Sequence, residues 1–139
     1  KPSGVLSNVK GVRSIVSVLS AIYAKENQLN EAIILNNESF VCETTSSNIF
    51  VLVKNIIYTP PLSSGCVNGI IRKILLENAK DWGVNIEEKD MKTFQLVKAQ
   101  EVFLTNSIKG IQWVSSYKNK TFSNNTSFTL FKKLKELTN

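Results

Sequence analysis

"FVCETTSSNIFVLV", residues 40–53, places two apolar runs on either side of a polar insert. Phe40, Val41 and Cys42 lead in, and Ile49, Phe50, Val51, Leu52 and Val53 lead out. β-Branched and aromatic residues flanking a Thr/Ser turn are the pattern of two short paired strands. Glu43 stands at the edge of this apolar surface, where a carboxylate must be solvated, paired or in use. Part of the reason for its presence lies upstream, at Lys10 in "LSNVKG".

Outward from this stretch, the chain alternates strands and helices. Residues 14–27 carry Ile15, Val18, Leu19, Ile22 and Tyr23 at helical spacing. "EAIILN" (31–36) reads as a strand that turns through "NNES" into "FVCE". Lys54 and Asn55 turn the chain into "IIYTP", and Pro60 and Pro61 enforce an extended loop. "IIRKILLENAKDW" (70–82) predicts a helix with Gly83 as its stop. "VNIEEKDM" alternates like an edge strand, and "TFQLVKA" predicts a short helix with Thr93 as N-cap. "EVFLTN" (101–106) and "GIQWVSSY" are further strands, and "SFTLFKKLKEL" closes as an amphipathic helix. Hairpins outnumber βαβ units, so the fold class is mixed α/β, with a sheet surrounded by helices.

The 139 residues suffice for one domain with a real core, and 42% apolar with 20% charged residues is globular composition. No apolar run approaches the roughly 20 residues that span a bilayer, and no signal-peptide pattern opens the chain. These features predict no membrane partner and a cytoplasmic location. Cys42 and Cys66 form no framework or metal pattern and read as reduced thiols. Asn-x-Ser/Thr matches at Asn37, Asn119, Asn124 and Asn125 then reflect asparagine-rich composition. The net charge of +6 comes from scattered lysines, clustered only at Lys132, Lys133 and Lys135. Without interleaved aromatic residues this predicts no nucleic-acid partner. The chain has no histidine, which excludes His-based catalysis within it and argues against a metal site.

Taken singly, the chemical signals are ordinary. Lys10 reads as a linker lysine, and "SGCVNGIIR" as a loop ahead of a helix whose amides suit a phosphate. In combination they change meaning. Lys10, the E-x4-N-I-F of Glu43, Asn48, Ile49 and Phe50, then "TPP", "GCVNGIIR" and "EVFLTNSIKGIQWV" resemble, in order and spacing, the class IV pyridoxal-phosphate aminotransferases. That family includes branched-chain and D-amino-acid aminotransferases and aminodeoxychorismate lyases. The resemblance covers essentially the whole chain.

The resemblance implies roles residue by residue. Lys10 matches the lysine that forms a Schiff base with the aldehyde of pyridoxal 5′-phosphate, and is the catalytic residue. Glu43 matches the carboxylate paired with the pyridine nitrogen. Val67 matches the side chain that packs on the ring face. Gly69, Ile70 and Ile71 match the segment whose backbone amides bind the cofactor phosphate. Thr105, Asn106, Ser107 and Ile108 match the loop that reaches the phosphate and the substrate carboxylate. In it, Asn106 and Ser107 face the cofactor, and Ser107 and Ile108 the substrate. The implied reaction is transamination between a branched-chain-like amino acid and a 2-oxo acid. The alternative is lyase chemistry on aminodeoxychorismate, giving pyruvate and 4-aminobenzoate.

Three departures stand out. Arg13, Ser14 and Ile15 occupy positions where relatives often carry Asn and Tyr or Arg, so the resemblance does not extend to a tyrosine bond to the ring hydroxyl from these positions. Ile71 stands where a hydroxyl often follows the "GI" pair, so the contact there is backbone only. Chains of the family also carry an N-terminal domain of comparable size, with the cofactor between the two domains. The resemblance therefore implies that residues 1–9 are an interdomain linker and 10–139 the C-terminal, cofactor-binding domain. It implies a homodimer for the full-length protein. A third reading follows, in which the domain alone is a non-catalytic half-site or dimerising scaffold.

Overall fold

A computed structural model describes residues 14–138. Lys10 and the expected linker 1–9 lie outside the described residues. Along the chain come α1 (Ser14–Glu26), β1 (Ile33–Leu35), β2 (Val41–Thr44), β3 (Asn48–Val53), β4 (Ile56–Thr59), α2 (Ile70–Asn78) and β5 (Asn85–Glu88). These are followed by β6 (Glu101–Asn106), β7 (Gly110–Trp113), β8 (Ser116–Tyr117), β9 (Lys120–Thr121) and α3 (Asn125–Thr138).

A five-stranded mixed sheet, ordered β5-β4-β3-β6-β7, organises the molecule. β3 and β4 form a hairpin whose two-residue turn, Lys54–Asn55, holds Lys54 at φ 58°. β4 and β5 run parallel, and the chain between them crosses over through α2. β3 and β6 run antiparallel at the centre, with Asn48 opposite Thr105 and Phe50 opposite Phe103.

The period of two in a strand sends alternate residues to opposite faces, and here both faces are covered. Phe50, Ile57, Phe103 and Ile111 pack on one face with Leu75 of α2 and Leu130 and Leu134 of α3. The Phe50 and Phe103 rings stack in parallel with centroids 5.0 Å apart. Ile49, Val51, Val102 and Leu104 fill the other face with Val41, Met91, Leu96 and Phe122. Burial on both sides is why "NIFVLV" and "EVFL" read as continuous apolar runs rather than alternating ones.

Element ends differ from the expectations in instructive ways. The helix over 70–82 ends at Asn78, whose side-chain amide donates to the Ile74 carbonyl. A tight turn follows, in which Gly83 at φ 73° reverses the chain and the Val84 N–H returns to the Ala79 carbonyl. Thr93 is not the N-cap of the short 3₁₀ helix Thr93–Lys98. Lys92 holds that place in extended geometry, and its N–H is bonded to Gln95 Oε1 at 2.7 Å. "GIQWVSSY" is divided into β7 and β8: the Val114 N–H still bonds to the Val102 carbonyl beside β6, whereas Ser116 and Tyr117 pair with Thr121 and Lys120 of β9. The apolar stripe of α1 is exposed: Ile15, Val18, Leu19, Ile22 and Tyr23 face outward, whereas Ala24 is buried.

The N-terminus of α3 is held by a remote carboxylate. Glu101, buried in β6, accepts the N–H of Thr126 at Oε2 (2.8 Å) and of Ser127 at Oε1 (3.0 Å). Two helix-terminal amides with no intrahelical acceptor are thereby satisfied by a charge that suits the positive helix end. Glu101→Ala should therefore cost about 2 kcal/mol, the range for stranding buried donors and losing a cap. Urea unfolding of the two chains measures this, and equal midpoints would remove the cap from the account.

Candidate active site

Glu43 is fully buried in β2. Its orientation follows from a bulge: Ile34 pairs with Glu43 but Leu35 pairs with Val41, so Cys42 is the extra residue. A bulge re-aims the side chains beside it, and here all of Val41, Cys42, Glu43 and Thr44 become buried. Glu43 Oε1 accepts the N–H of Val67 at 2.8 Å. A residue at the end of the first hairpin thus reaches the loop that opens α2.

The turn from β2 to β3 is fixed from outside. The Thr44 hydroxyl donates to Glu31 Oε1 at 2.6 Å, the Ser46 N–H donates to the same oxygen, and the Thr44 N–H donates to the Ser47 carbonyl. Asn48 follows, buried at the start of β3, and its Nδ2 donates to the Val67 carbonyl at 2.8 Å. Val67 is therefore gripped at its N–H by Glu43 and at its carbonyl by Asn48.

Gly69 is the N-cap of α2, and among the described residues no side chain caps this helix. The first bond of the helix runs from the Lys73 N–H to the Gly69 carbonyl, so the amides of Ile70, Ile71 and Arg72 have no intrahelical acceptor. No acidic residue lies in the first turn. Gly69 has an ordinary φ of −67°, so its smallness is not a matter of backbone strain. A Cβ at position 69 would lie 2.3 Å from Asn48 Oδ1, and only glycine permits that approach. Arg72 anchors the same turn by donating to the Pro60 carbonyl and pairing with Glu88.

The third stretch arrives on β6. Thr105 is buried, and its hydroxyl has no hydrogen-bond partner among the described residues. Asn106 Oδ1 accepts the N–H groups of Ile108 and Lys109, and its Nδ2 donates to Ser47 Oγ at 3.0 Å. With Gly110 at φ 72°, this builds a three-residue turn that leaves Ser107 and Ile108 exposed. The structure thus brings Glu43, Val67, Gly69, Ile70, Ile71 and the 105–108 loop to one end of the central strand pair. Lys10 lies outside the described residues. Asn106 spends its side chain on shaping the turn and on Ser47.

A pyridine phosphate fits these residues. A buried carboxylate tied to the loop ahead of α2 suits a ring cation. A helix N-terminus without a side-chain cap, its amides lacking intrahelical acceptors, suits a phosphate. The sequence motif contains Asn48 without indicating its task, and nothing in the sequence singles out Ser47 or Glu31. An Asn paired with a Gly just ahead of a helix was the available signal.

Residues 1–117 match the family model for class IV amino-transferases. A D-alanine aminotransferase from Bacillus licheniformis is 33% identical over 114 residues, 82% of this chain and 40% of that protein. An aminodeoxychorismate lyase from Bacillus subtilis is 35% identical over 94 residues, 65% of this chain and 32% of that protein. A branched-chain aminotransferase from the thermophilic archaeon Thermoproteus uzoniensis, solved with norvaline, superposes with a TM-score of 0.81 at 26% identity. That likeness covers 87% of this chain and 41% of that one. The chain spans less than half the length of these relatives. The family depends on pyridoxal 5′-phosphate.

The Asn48–Gly69 contact gives a coupled prediction. Gly69→Ala should destabilise the wild-type chain by about 2 kcal/mol, in the range of overpacked sites. Its cost should shrink to under about 1 kcal/mol in an Asn48→Ala background, because the colliding oxygen is gone. A double-mutant cycle by chemical denaturation reads this, and additive costs would show that the collision is relieved elsewhere.

Proposed function

The chain belongs to the class IV amino-transferase family, and from that premise we propose that it is the cofactor-binding, C-terminal domain (10–139, after a linker 1–9) of an enzyme transferring an amino group between a branched-chain-like amino acid and a 2-oxo acid. The observation that carries this reading is the bond from the Val67 N–H to Glu43, which ties a buried carboxylate to the loop that opens an uncapped helix. When bound, pyridoxal phosphate supplies an electron sink for the pair left as the substrate loses its α-proton.

The chain's own residues then have distinct tasks. Glu43 holds a proton at the ring nitrogen by keeping an anionic oxygen beside it. The amides of Ile70 and Ile71 bind the phosphate, without a side-chain hydroxyl from position 71. Val67 packs on the ring. Ser107, exposed on the turn that Asn106 shapes, donates its hydroxyl to phosphate or substrate carboxylate, with Ile108 beside it. Lys10 would hold the cofactor through its aldehyde and, once displaced by the substrate amine, would as a free amine carry the α-proton, as base and then as acid. The named lyase relative supports a second reading with the same residues, in which aminodeoxychorismate yields pyruvate and 4-aminobenzoate. In a third reading this domain by itself is an inactive half-site. Absorbance titration of the purified chain with pyridoxal phosphate separates weak binding without turnover from a complete enzyme.

In a full-length protein carrying this chain, borohydride reduction and peptide mapping should place the cofactor on Lys10, and Lys10→Ala should abolish turnover. A label on another lysine overturns the assignment. Glu43→Gln should retain the fold and lose at least about a hundredfold in rate, since a charge-assisted pair is worth roughly 3 kcal/mol. Wild-type turnover in that variant would remove the ring-nitrogen role.

A second copy of the full-length chain is the proposed cover for the exposed stripe of α1, consistent with a cytoplasmic homodimer. Five large apolar side chains on one face of a helix are the mark of an association surface. Val18→Lys with Ile22→Lys should shift sedimentation toward monomer and leave the far-ultraviolet spectrum unchanged. Unaltered association would place the interface elsewhere.

A further inference from the structure

Val67 is held from two sides by the two ends of a single turn. Glu43 takes its N–H at 2.8 Å, and Asn48 donates to its carbonyl at 2.8 Å. The Gly69 N–H donates to the same carbonyl at 3.0 Å, so Val67 to Gly69 form one compact unit. Asn48 Oδ1 lies against Gly69 where a Cβ would come within 2.3 Å, and Gly69 is the residue from which α2 starts. The carboxylate of Glu43 is thus linked to the start of α2 through Val67, alongside Asn48. The side chain of Asn48 is buried, and it emerges from β3, the central strand of the sheet. A short, rigid side chain on a rigid strand fixes geometry better than a loop contact does.

We propose that Asn48 is a positioning residue that sets the spacing between the carboxylate of Glu43 and the amides of Ile70 and Ile71, so that one ligand carrying a ring nitrogen and a phosphate meets both. The proposal rests on the cofactor reading above. The plainer role, an Asn that only stabilises the loop, predicts a different result. Loss of a merely stabilising bond lowers the melting temperature and leaves ligand preference alone. Loss of a spacer separates the two ends of the ligand, so a molecule that uses only one end suffers less than one that uses both.

Pyridoxal phosphate and pyridoxal form the required pair of probes, since they share the ring and differ in the phosphate. Both are titrated by absorbance into the full chain, as wild type, Asn48→Ala, Asn48→Asp and Gly69→Ala. Asn48→Asp keeps the volume but turns the donor into an acceptor facing a carbonyl. Gly69→Ala keeps the amide but pushes it aside. Wild type should prefer the phosphorylated probe, and each variant should lose about tenfold of that preference, the scale of one charge-assisted hydrogen bond. Near-ultraviolet circular dichroism identifies the variants that fold, and those carry the comparison. If folded variants bind both probes more weakly by the same factor, or keep the wild-type preference, the positioning role is overturned while the cofactor reading stands. If wild type itself shows no preference for the phosphorylated probe, the cofactor reading fails and the positioning role falls with it.

Discussion

The antiparallel pairing of β3 with β6 is the constraint on which the rest depends. It runs in unbroken register from Asn48–Thr105 to Leu52–Glu101. One end of this ladder gathers the site, because Asn48 reaches the loop before α2 while Asn106, one residue beyond Thr105, reaches Ser47. The other end places Glu101 under the start of α3. A register slip of one residue would exchange the two faces of a strand, sending Phe50 and Phe103 away from α2 and α3 and Asn48 away from Gly69. Core packing and site geometry are therefore enforced by the same hydrogen bonds.

Among the described residues three ionisable groups are buried along this frame, and each is met by specific partners. Glu43 takes a backbone amide, Glu101 takes two, and Arg72 donates to Pro60 and pairs with Glu88. Burying a charge is costly unless such partners exist, and the pairs contribute specificity more than net stability. Each one ties elements that are distant in sequence: β2 to the α2 loop, β6 to α3, and α2 to the end of β5. The apolar clusters on the two faces supply the driving force, while these polar contacts select one arrangement of the layers. The Nε of Arg72 and the Thr105 hydroxyl are buried without partners among the described residues, so the selection has a local cost near the site.

Much of this was legible in the sequence for reasons that can be named. Strands β3 and β6 were visible because both faces are buried, which writes a continuous apolar run. The start of α2 was visible from Gly69 followed by "IIRKILL". The division of "GIQWVSSY" was not, because it depends on Ser116 and Tyr117 pairing with Thr121 and Lys120 instead of with β6. The N-cap at Lys92 was hidden because its bond is the Lys92 N–H donating to the side-chain oxygen of Gln95, and Lys is not a capping residue by type. Glu43 announced itself by polarity in an apolar setting. Asn48 and Ser47 did not, because polar residues in a Thr/Ser turn read as solvated, and Glu31 did not, because a carboxylate just ahead of a strand reads the same way. The bulge at Cys42, which sets the direction of Glu43, has no signature in a single sequence.

The two helices that flank the sheet use opposite solutions for the same problem, and the contrast bears on what α2 is for. Both begin with amides that have no intrahelical acceptor. α3 receives a buried carboxylate from β6, which meets the amides of Thr126 and Ser127. Among the described residues α2 receives no side-chain cap; its first turn holds no acidic residue, and an arginine stands at its third position. A cation at a helix N-terminus is unfavourable by the helix dipole, and Glu88 offsets it from the side rather than from the end. The field at the end of α2 is left positive and its amides are left open. A chain able to cap α3 with a glutamate from a neighbouring strand is not short of means to cap α2. The difference between them is accounted for if the missing cap of α2 is an anion that the chain binds.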